Sequence, residues 1–256
     1  MRQSASTIAS FWDKMARSKA PGSLVTHRDP YQVSIEIDTI NAILRSADRM
    51  LDMGCGNGYA TAVYARRCRT VVGVDYSCGM IAAAYRAYRR RNLSFVLGDV
   101  FDLPFKRGDF TAIISTRFLI NLTDWQAQKA AIRNLHNLLP KGGRLILAEG
   151  IRQGRAGLNG LRVAVGLRPM PKVWHNIDFD ESRLMPFLKG LFVVDRDIRF
   201  GVYDVLTRVY YPARIYPRQP RYGTRYQAQA RQLYDRLDRD LWREYSREAC
   251  LVLIKK

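Results

Sequence analysis

A glycine-rich turn after a short apolar run is the part of the sequence best suited to bind a ligand. Residues 50–53 are apolar except for Asp52, and Gly54, Gly56 and Gly58 follow at every second position. Glycines let the backbone turn sharply and approach a ligand that a side chain would exclude. The spacing is neither the Gly-x-Gly-x-x-Gly of a dinucleotide site nor that of a phosphate loop, which ends in Lys-Ser/Thr. We therefore predict a backbone-lined binding site with a carboxylate beside it.

Two further apolar runs also end in an acidic residue. Residues 70–74 are followed by Asp75, and residues 92–98 are followed by Asp99. In an open parallel α/β sheet the carboxyl ends of the strands meet at one edge, and ligands bind there. An acid at the end of the second strand can accept hydrogen bonds from both hydroxyls of a ribose. The alternative for each acid is an ordinary cap at a strand end.

The elements that must position these residues alternate between strands and helices. Seven apolar runs predict strands, at 49–53, 70–74, 93–97, 109–115, 144–149, 191–200 and 249–254. Helical patterns separate the first five runs, which indicates parallel strands joined by crossover helices. We therefore expect the α/β class with a Rossmann-like, doubly wound sheet.

Five segments in order resemble the class I S-adenosylmethionine-dependent methyltransferases. They are LDMGCGNG, VVGVDYS, LGDVFDLPF, DFTAIISTRFLINL and LLPKGGRLILAEG. The resemblance implies a single methyltransferase domain over residues 1–256, with its cofactor-binding core at 48–150. It also implies a seven-stranded sheet that is mostly parallel, with an antiparallel last strand.

The resemblance implies S-adenosyl-L-methionine as the cofactor, S-adenosyl-L-homocysteine as its product, and no metal. Asp75 would accept the ribose hydroxyls with Tyr76 against the adenine, and Asp99 would accept from the adenine amino group. Asp102 is the alternative to Asp99. The predicted cofactor-binding residues are Asp52, Gly54, Cys55, Gly56, Gly58, Asp75, Tyr76, Asp99, Val100, Thr116 and Arg117.

A histidine is the residue expected to remove a proton from the methyl acceptor. A hydroxyl nucleophile must lose its proton, and an imidazole titrates in the right range. His136 lies in a predicted helix and His27 in an N-terminal loop, whereas His175 follows strand 5, where the resembling fold builds its acceptor pocket. We predict His175 as the general base, with Glu149 orienting it or binding a substrate hydroxyl. The alternatives are a histidine bonded to a backbone carbonyl and a salt bridge between Glu149 and an arginine.

The acceptor is expected to contact the segment 151–190. The predicted substrate-binding residues are Asn121, Asn159, Arg162, Trp174 and Asn176. The resemblance implies transfer to an oxygen or nitrogen atom of a small molecule, with sugar and surface-glycan precursors among the acceptors. Nucleic acid is not the favoured partner, because the Asn/Asp-Pro-Pro-Tyr motif of base methylation is absent after strand 4.

The net charge of the chain is also compatible with a second function, that of an RNA- or protein-directed methyltransferase. The net charge is +19, and the excess is divided between residues 1–150 and 151–256. A basic surface can bind nucleic acid or an acidic partner, or can simply be solvated. A long helical insertion at 201–248, rich in tyrosine and arginine, could dock RNA or protein, or could cap a small acceptor. Basic and acidic residues nearly cancel over 225–248, where leucines recur at helical spacing, which favours a packed cap helix.

Phe11 and Trp12 in the N-terminal segment 1–34 lie on a short amphipathic helix, where they could pack on the core or lie over the cofactor as a lid. The resemblance favours the lid. No run of 18 uncharged apolar residues occurs, so we expect no membrane span. The first 20 residues lack the apolar stretch of a secretory signal. The expected location is therefore the cytoplasm. The sequence does not indicate an oligomeric state.

Overall fold

Seven strands form one mixed sheet in the computed structural model, which describes residues 5–17, 22 and 25–256. The strands are β1 (Arg49–Met53), β2 (Thr70–Asp75), β3 (Leu93–Leu97), β4 (Ala112–Thr116), β5 (Arg144–Gly150), β6 (Phe192–Arg199) and β7 (Glu248–Lys255). Their order is β3-β2-β1-β4-β5-β7-β6. Strand β7 runs antiparallel to both β5 and β6, and the other pairs are parallel. The prediction of a Rossmann-like, mostly parallel sheet with an antiparallel last strand is confirmed.

Helices pack on both faces of this sheet. They are α1 (Ala5–Ala16), α2 (Pro30–Asn41), α3 (Tyr59–Tyr64), α4 (Cys78–Ala87), α5 (Trp125–Leu138), α6 (Arg152–Ala164), α7 (Glu181–Leu191), α8 (Gly201–Asp204), α9 (Tyr211–Ile215) and α10 (Arg225–Arg236). Asp29, Ser77 and Asp124 begin α2, α4 and α5 by accepting backbone N–H bonds at the N-cap. Such caps satisfy amides that have no partner within the helix.

Alternate strand residues divide the core into two layers. Leu51, Ile113 and Leu147 pack against α5 and α7, whereas their neighbours Met50 and Ile114 face α2, α3 and α10. Side chains of a strand point to opposite faces in turn, so a strand covered on both sides is apolar throughout. The central strands are therefore fixed in register, and their carboxyl ends are held at one edge.

The connection between β6 and β7 differs from the continuous helix that the sequence predicts over 225–248. Helix α10 ends at Arg236 because Leu237 is extended, and only a short 3₁₀ turn follows at Arg243–Tyr245. Leu233, Leu237 and Leu241 are exposed, so the predicted apolar face was wrong. Helix α10 packs instead through Ala230 and Tyr234 in the layer that contains α2.

The N-terminal helix α1 is attached to the core beside the second strand. The Asp13 carboxylate accepts hydrogen bonds from the Ser77 hydroxyl at 2.5 Å and the Gly79 amide at 3.0 Å. Residues 1–4, 18–21, 23 and 24 of the predicted lid lie outside the described residues. Within the part of the chain that the structure describes, no helix has both the length and the apolar character needed to cross a bilayer.

Candidate active site

The glycine turn lies at the carboxyl end of β1 in left-handed backbone conformations. Gly54 and Gly58 have φ values of 78° and 77°. A Cβ at Gly54 would lie 2.4 Å from the Phe118 side chain, and one at Gly58 would lie 2.7 Å from Phe95. Both conformation and space therefore require glycine. Gly58 begins α3 and does not line the cavity described below.

Two buried carboxylates stand beside this turn. One oxygen of Asp75 accepts from the Gly56 amide and the other from the Ser77 amide, both at 2.9 Å. Asp52 accepts from the Thr61 hydroxyl at 2.6 Å. Burial raises the pKa of both carboxyl groups to about 6, against the lowering effect of these hydrogen bonds. Each Asp75 oxygen keeps a lone pair after its bond to an amide.

A large cavity opens along the carboxyl edge of the sheet, with a volume of about 920 Å³. That size is at the upper end of the range for small-ligand sites. The cavity brings together most of the residues predicted to bind cofactor or substrate, namely Asp52, Gly54, Cys55, Gly56, Asp75, Tyr76, Thr116, Arg117, Asn121, Arg162, Trp174, His175 and Asn176. Burial holds the pKa of the Cys55 thiol well above its usual value, so this cysteine is a packing residue.

Four other predicted residues lie outside the cavity. Asp99 is exposed and accepts from the Phe101 amide at 3.0 Å, because its loop turns back on itself, and Val100 is buried in the core. Their contact with adenine stays a prediction. The Asn159 side-chain oxygen accepts from the Met170 amide at 2.9 Å, so it orders a loop, and its contact with the acceptor stays a prediction. Glu149 is the fourth of these residues that do not line the cavity.

Glu149 stabilises the turn after β4, a role that the prediction of a catalytic function did not anticipate. Its side chain is buried, and it accepts from the Ser115 hydroxyl at 2.6 Å. It also accepts from the amides of three residues that follow β4, namely Phe118, Leu119 and Ile120. Because these donors occupy its oxygens, Glu149 neither orients His175 nor forms the salt bridge considered above. It fixes the turn that places Thr116 and Arg117.

We expect Glu149→Gln to destabilise the fold by about 1–3 kcal/mol, because an amide NH₂ would face donors that need an acceptor. Burial raises the pKa of Glu149 to about 7, whereas the carboxyl titrates near 4.5 when the chain is unfolded. The folded state binds more protons between these values, so the wild-type free energy of unfolding should fall as pH rises from 4.5 to 7. Urea unfolding across this range measures both effects. A variant with wild-type stability and an unchanged pH slope would contradict the structural role.

The end of β4 presents Thr116 and Arg117 to the cavity. The backbone of Arg117 has a φ of 49°, which is uncommon for a residue other than glycine. Its side chain pairs with the buried Glu36. The Thr116 hydroxyl is buried without a partner among the described residues. Asn121 follows in a short turn, donates to the Arg117 carbonyl at 2.7 Å, and accepts from the Trp12 indole at 3.3 Å. Asn121 therefore joins α1 to the site.

His175 lies within an aromatic cluster at the cavity wall. Its ring centroid is 4.7 Å from that of Phe11, 5.4 Å from Trp12 and 5.0 Å from Trp174. Its Nδ1 is buried and has no hydrogen-bond partner within the described chain. Burial lowers its pKa, so the imidazole is neutral near pH 7 and can accept a proton. The alternative for His175 was a hydrogen bond to a backbone carbonyl, and none of the described residues makes such a bond with Nδ1.

Two arginines that the sequence did not single out also line the cavity. Arg208 pairs with the buried Asp29 at 2.8 Å, and Arg247 pairs with Asp204 at 2.8 Å. His27 also lines the cavity, but burial and the nearby cations Arg117 and Arg247 hold its pKa well below the usual range. His27 is therefore a weaker base than His175. These residues come from distant parts of the chain, and no local motif marks them.

Arg162 is a cavity-lining cation without an ion-pair partner among the described residues. Its guanidinium donates to the carbonyl of Arg168 at 2.9 Å and to the carbonyl of Arg208. Burial and the nearby Arg208 cation lower its pKa. By contrast, Arg155 on the same helix is paired with Asp178 at 2.5 Å. Arg162 can therefore hold an anion that Arg155 cannot.

The side chains that line this cavity contain six buried polar atoms without a hydrogen-bond partner among the described residues. They are Glu36 Oε1, Thr116 Oγ1, His175 Nδ1, Asn176 Oδ1, Asp178 Oδ1 and Arg247 Nη2. A buried polar group without a partner costs about 1–3 kcal/mol, and folded proteins contain few of them. Their concentration on one cavity indicates that the cavity binds a polar ligand.

Comparison with known proteins agrees with this geometry. The sequence model of a methyltransferase domain matches residues 51–147. A demethylmenaquinone methyltransferase of Beutenbergia cavernae is 35% identical over 113 residues, which are 44% of this chain and 44% of the relative. One from Corynebacterium efficiens is 32% identical over 106 residues, covering 41% of this chain and 43% of the relative. The chain thus spans less than half the length of these relatives.

A solved structure shares the fold over nearly the whole chain. Magnesium protoporphyrin IX methyltransferase of Synechocystis, with S-adenosylhomocysteine bound, has a TM-score of 0.64 at 16% identity, covering 99% of this chain and all of that one. Residues 51–147 thus match a methyltransferase domain, and the chain shares the fold of this solved methyltransferase.

Proposed function

We propose that this chain transfers a methyl group from S-adenosyl-L-methionine to an oxygen or nitrogen atom of a small, anionic acceptor. The observation that supports this most strongly is the cavity that joins the glycine turn and Asp75 to the neutral His175 and to Arg162, which has no ion-pair partner in the described part of the chain. The relatives and the structural neighbour are named as methyltransferases of small molecules, which supports the same reaction class.

The residues present fit the cofactor. Gly54 and Gly56 of the glycine turn line the cavity, Asp75 has free acceptor capacity, and the Thr116 hydroxyl lacks a partner among the described residues. Asp75 would bind the ribose hydroxyls, and Tyr76 would lie against the adenine. S-Adenosylmethionine, when bound, supplies a methyl group already activated for transfer.

The chain itself has to orient the acceptor, exclude water and remove one proton. Trp12 and Phe11 on α1 cover the wall that contains His175, which excludes water there. His175 Nδ1 would take the proton from the acceptor hydroxyl or ammonium group. Its low exposure favours a small acceptor over an RNA or protein surface.

The charge of the acceptor follows from Arg162. Arg162 is half-buried and has no carboxylate partner among the described residues, and a phosphate or carboxylate of the acceptor would neutralise its charge. Sugar and surface-glycan precursors meet this requirement when they contain such a group.

A methyl-incorporation assay tests this function. The protein would be incubated with methyl-labelled S-adenosylmethionine and pairs of small alcohols and amines, each as a neutral compound and as its phosphate or carboxylate. We expect label in the anionic member of at least one pair. Label in RNA or protein, with none in any small acceptor, would contradict the proposal.

We expect Arg162→Gln to raise the KM for the anionic acceptor about 10- to 100-fold, since a charge-assisted hydrogen bond contributes about 1.5–3 kcal/mol. Arg152→Gln is the matched control, because Arg152 lies on the same helix but is exposed, pairs with Asp180 and does not line the cavity. Equal KM changes in the two variants would contradict the assignment of Arg162.

A further inference from the structure

The positive charge of the chain is concentrated in two stretches that contain no acidic residue. Residues 151–177 contain five Lys or Arg and no Asp or Glu, and residues 205–234 contain six and none. The two stretches together account for +11 of the net charge of +19. The charge is therefore less evenly spread than the totals for the two halves of the chain indicate.

The fold brings these stretches together at the opening of the cavity. The Arg162 guanidinium donates to the carbonyl oxygens of both Arg168 and Arg208, and the Arg208 guanidinium lies 5.1 Å from the centre of the Tyr222 ring. Residues that line the cavity and are also exposed mark its opening. They are Arg28, Pro171, Val173, Trp174, Gln219 and Tyr222. We call residues 162–174 and 208–222 the mouth surface.

The mouth surface combines unpaired cations with exposed apolar side chains. Its exposed cations without an ion-pair partner in the described chain are Arg168, Lys172, Arg214, Arg218 and Arg221. Its exposed apolar side chains are Val163, Val165, Val173, Trp174, Tyr210, Tyr216 and Tyr222. Val163 is 58% and Tyr216 is 70% exposed, which is costly for an unoccupied surface.

We propose that the mouth surface docks on an anionic phospholipid bilayer, so that the cavity opens toward the membrane. Lys and Arg near an anionic leaflet gain electrostatic attraction, and Trp and Tyr favour the boundary between headgroups and acyl chains. Aliphatic side chains between the cations can enter that boundary. The inference concerns where the chain binds and does not depend on the proposed reaction.

An anionic bilayer fits this surface better than RNA does. RNA would use the arginines and tyrosines but leave Val163 and Val165 in water, since aliphatic side chains neither stack on bases nor contact phosphates. A membrane accounts for both kinds of side chain. RNA binding is therefore the competing outcome of the test.

Vesicle flotation with the full chain tests the proposal, using vesicles of phosphatidylcholine alone and with 30% phosphatidylglycerol. The phosphatidylglycerol gives the vesicles the negative surface that attracts Lys and Arg. We expect binding to the anionic vesicles and little to the neutral ones. Replacing Arg214, Arg218 and Arg221 by Gln should weaken binding at least about tenfold, because each cation contributes about fivefold. These arginines do not line the cavity.

Two matched controls distinguish docking through the mouth surface from nonspecific electrostatic attraction to the vesicles. Arg89, Arg90 and Arg91 are also exposed, so replacing these three by Gln removes the same charge elsewhere and should leave binding nearly unchanged. Val163→Ser should weaken binding about threefold or more, whereas Val193→Ser, at a similarly exposed valine of β6, should not. Equal losses in target and control variants would overturn the proposal. Salt-sensitive binding to RNA without binding to anionic vesicles would also overturn it.

Discussion

Replacing His175 by Ala is expected to lower kcat for the methylated acceptor about 10²- to 10⁴-fold, the usual contribution of a general base. The imidazole is neutral because burial lowers its pKa, and its Nδ1 has no partner among the described residues. The affinity for S-adenosylhomocysteine should change little. In the wild type, kcat should rise with pH through a pKa below 6.5 and then stay constant, and this rise should be absent in His175→Ala.

His136→Ala is the control for this experiment, because His136 lies on α5 outside the cavity. His27→Ala tests the second histidine at the site, and we expect it to affect kcat less, since its pKa is held well below the useful range. Full activity of His175→Ala, or loss of its cofactor binding, would remove His175 from the role of general base.

Replacing Asp75 by Ala is expected to weaken cofactor binding at least about 100-fold. Two hydrogen bonds from ribose hydroxyls to a carboxylate contribute about 1.5–3 kcal/mol each, and 1.4 kcal/mol is tenfold. The variant also loses the bond that ties Gly56 to the second strand. Burial raises the pKa of Asp75 to about 6, so wild-type affinity should fall as pH decreases below about 6 and the carboxylate is protonated.

Asp195→Ala is the control for Asp75, since Asp195 on β6 is exposed and does not line the cavity. Asp99→Ala tests the predicted adenine contact separately. Calorimetric titration with S-adenosylhomocysteine measures all three variants. Unchanged affinity in Asp75→Ala would contradict the assignment of this carboxylate.

The central strands of the sheet could be predicted from the sequence because they are buried on both faces. Such strands form continuous apolar runs that end abruptly, as β1 does at Gly54 and β2 at Asp75. The connection from β6 to β7 could not be predicted as well. Leucines recur at helical spacing through Leu241, yet the chain becomes extended at Leu237, and no proline or glycine marks that break.

The cofactor side of the site was easier to predict than the acceptor side. Asp52, Gly54 and Asp75 lie at strand ends, where topology alone brings them together. Arg208 and His27 reach the same cavity from separate segments through tertiary packing, which no local pattern records. The role of Glu149 was missed because its position at a strand end is also compatible with catalysis.

Calorimetric titration of the wild-type chain with S-adenosylhomocysteine at pH 7.5 tests the central claim most directly. That pH keeps Asp75 ionised, given its pKa of about 6. The glycine turn, Asp75 and the Thr116 hydroxyl, which has no partner among the described residues, predict saturable binding at one site per chain, with S-adenosylmethionine competing for the same site. A folded protein that shows no saturable binding of either compound would contradict the assignment of the cavity.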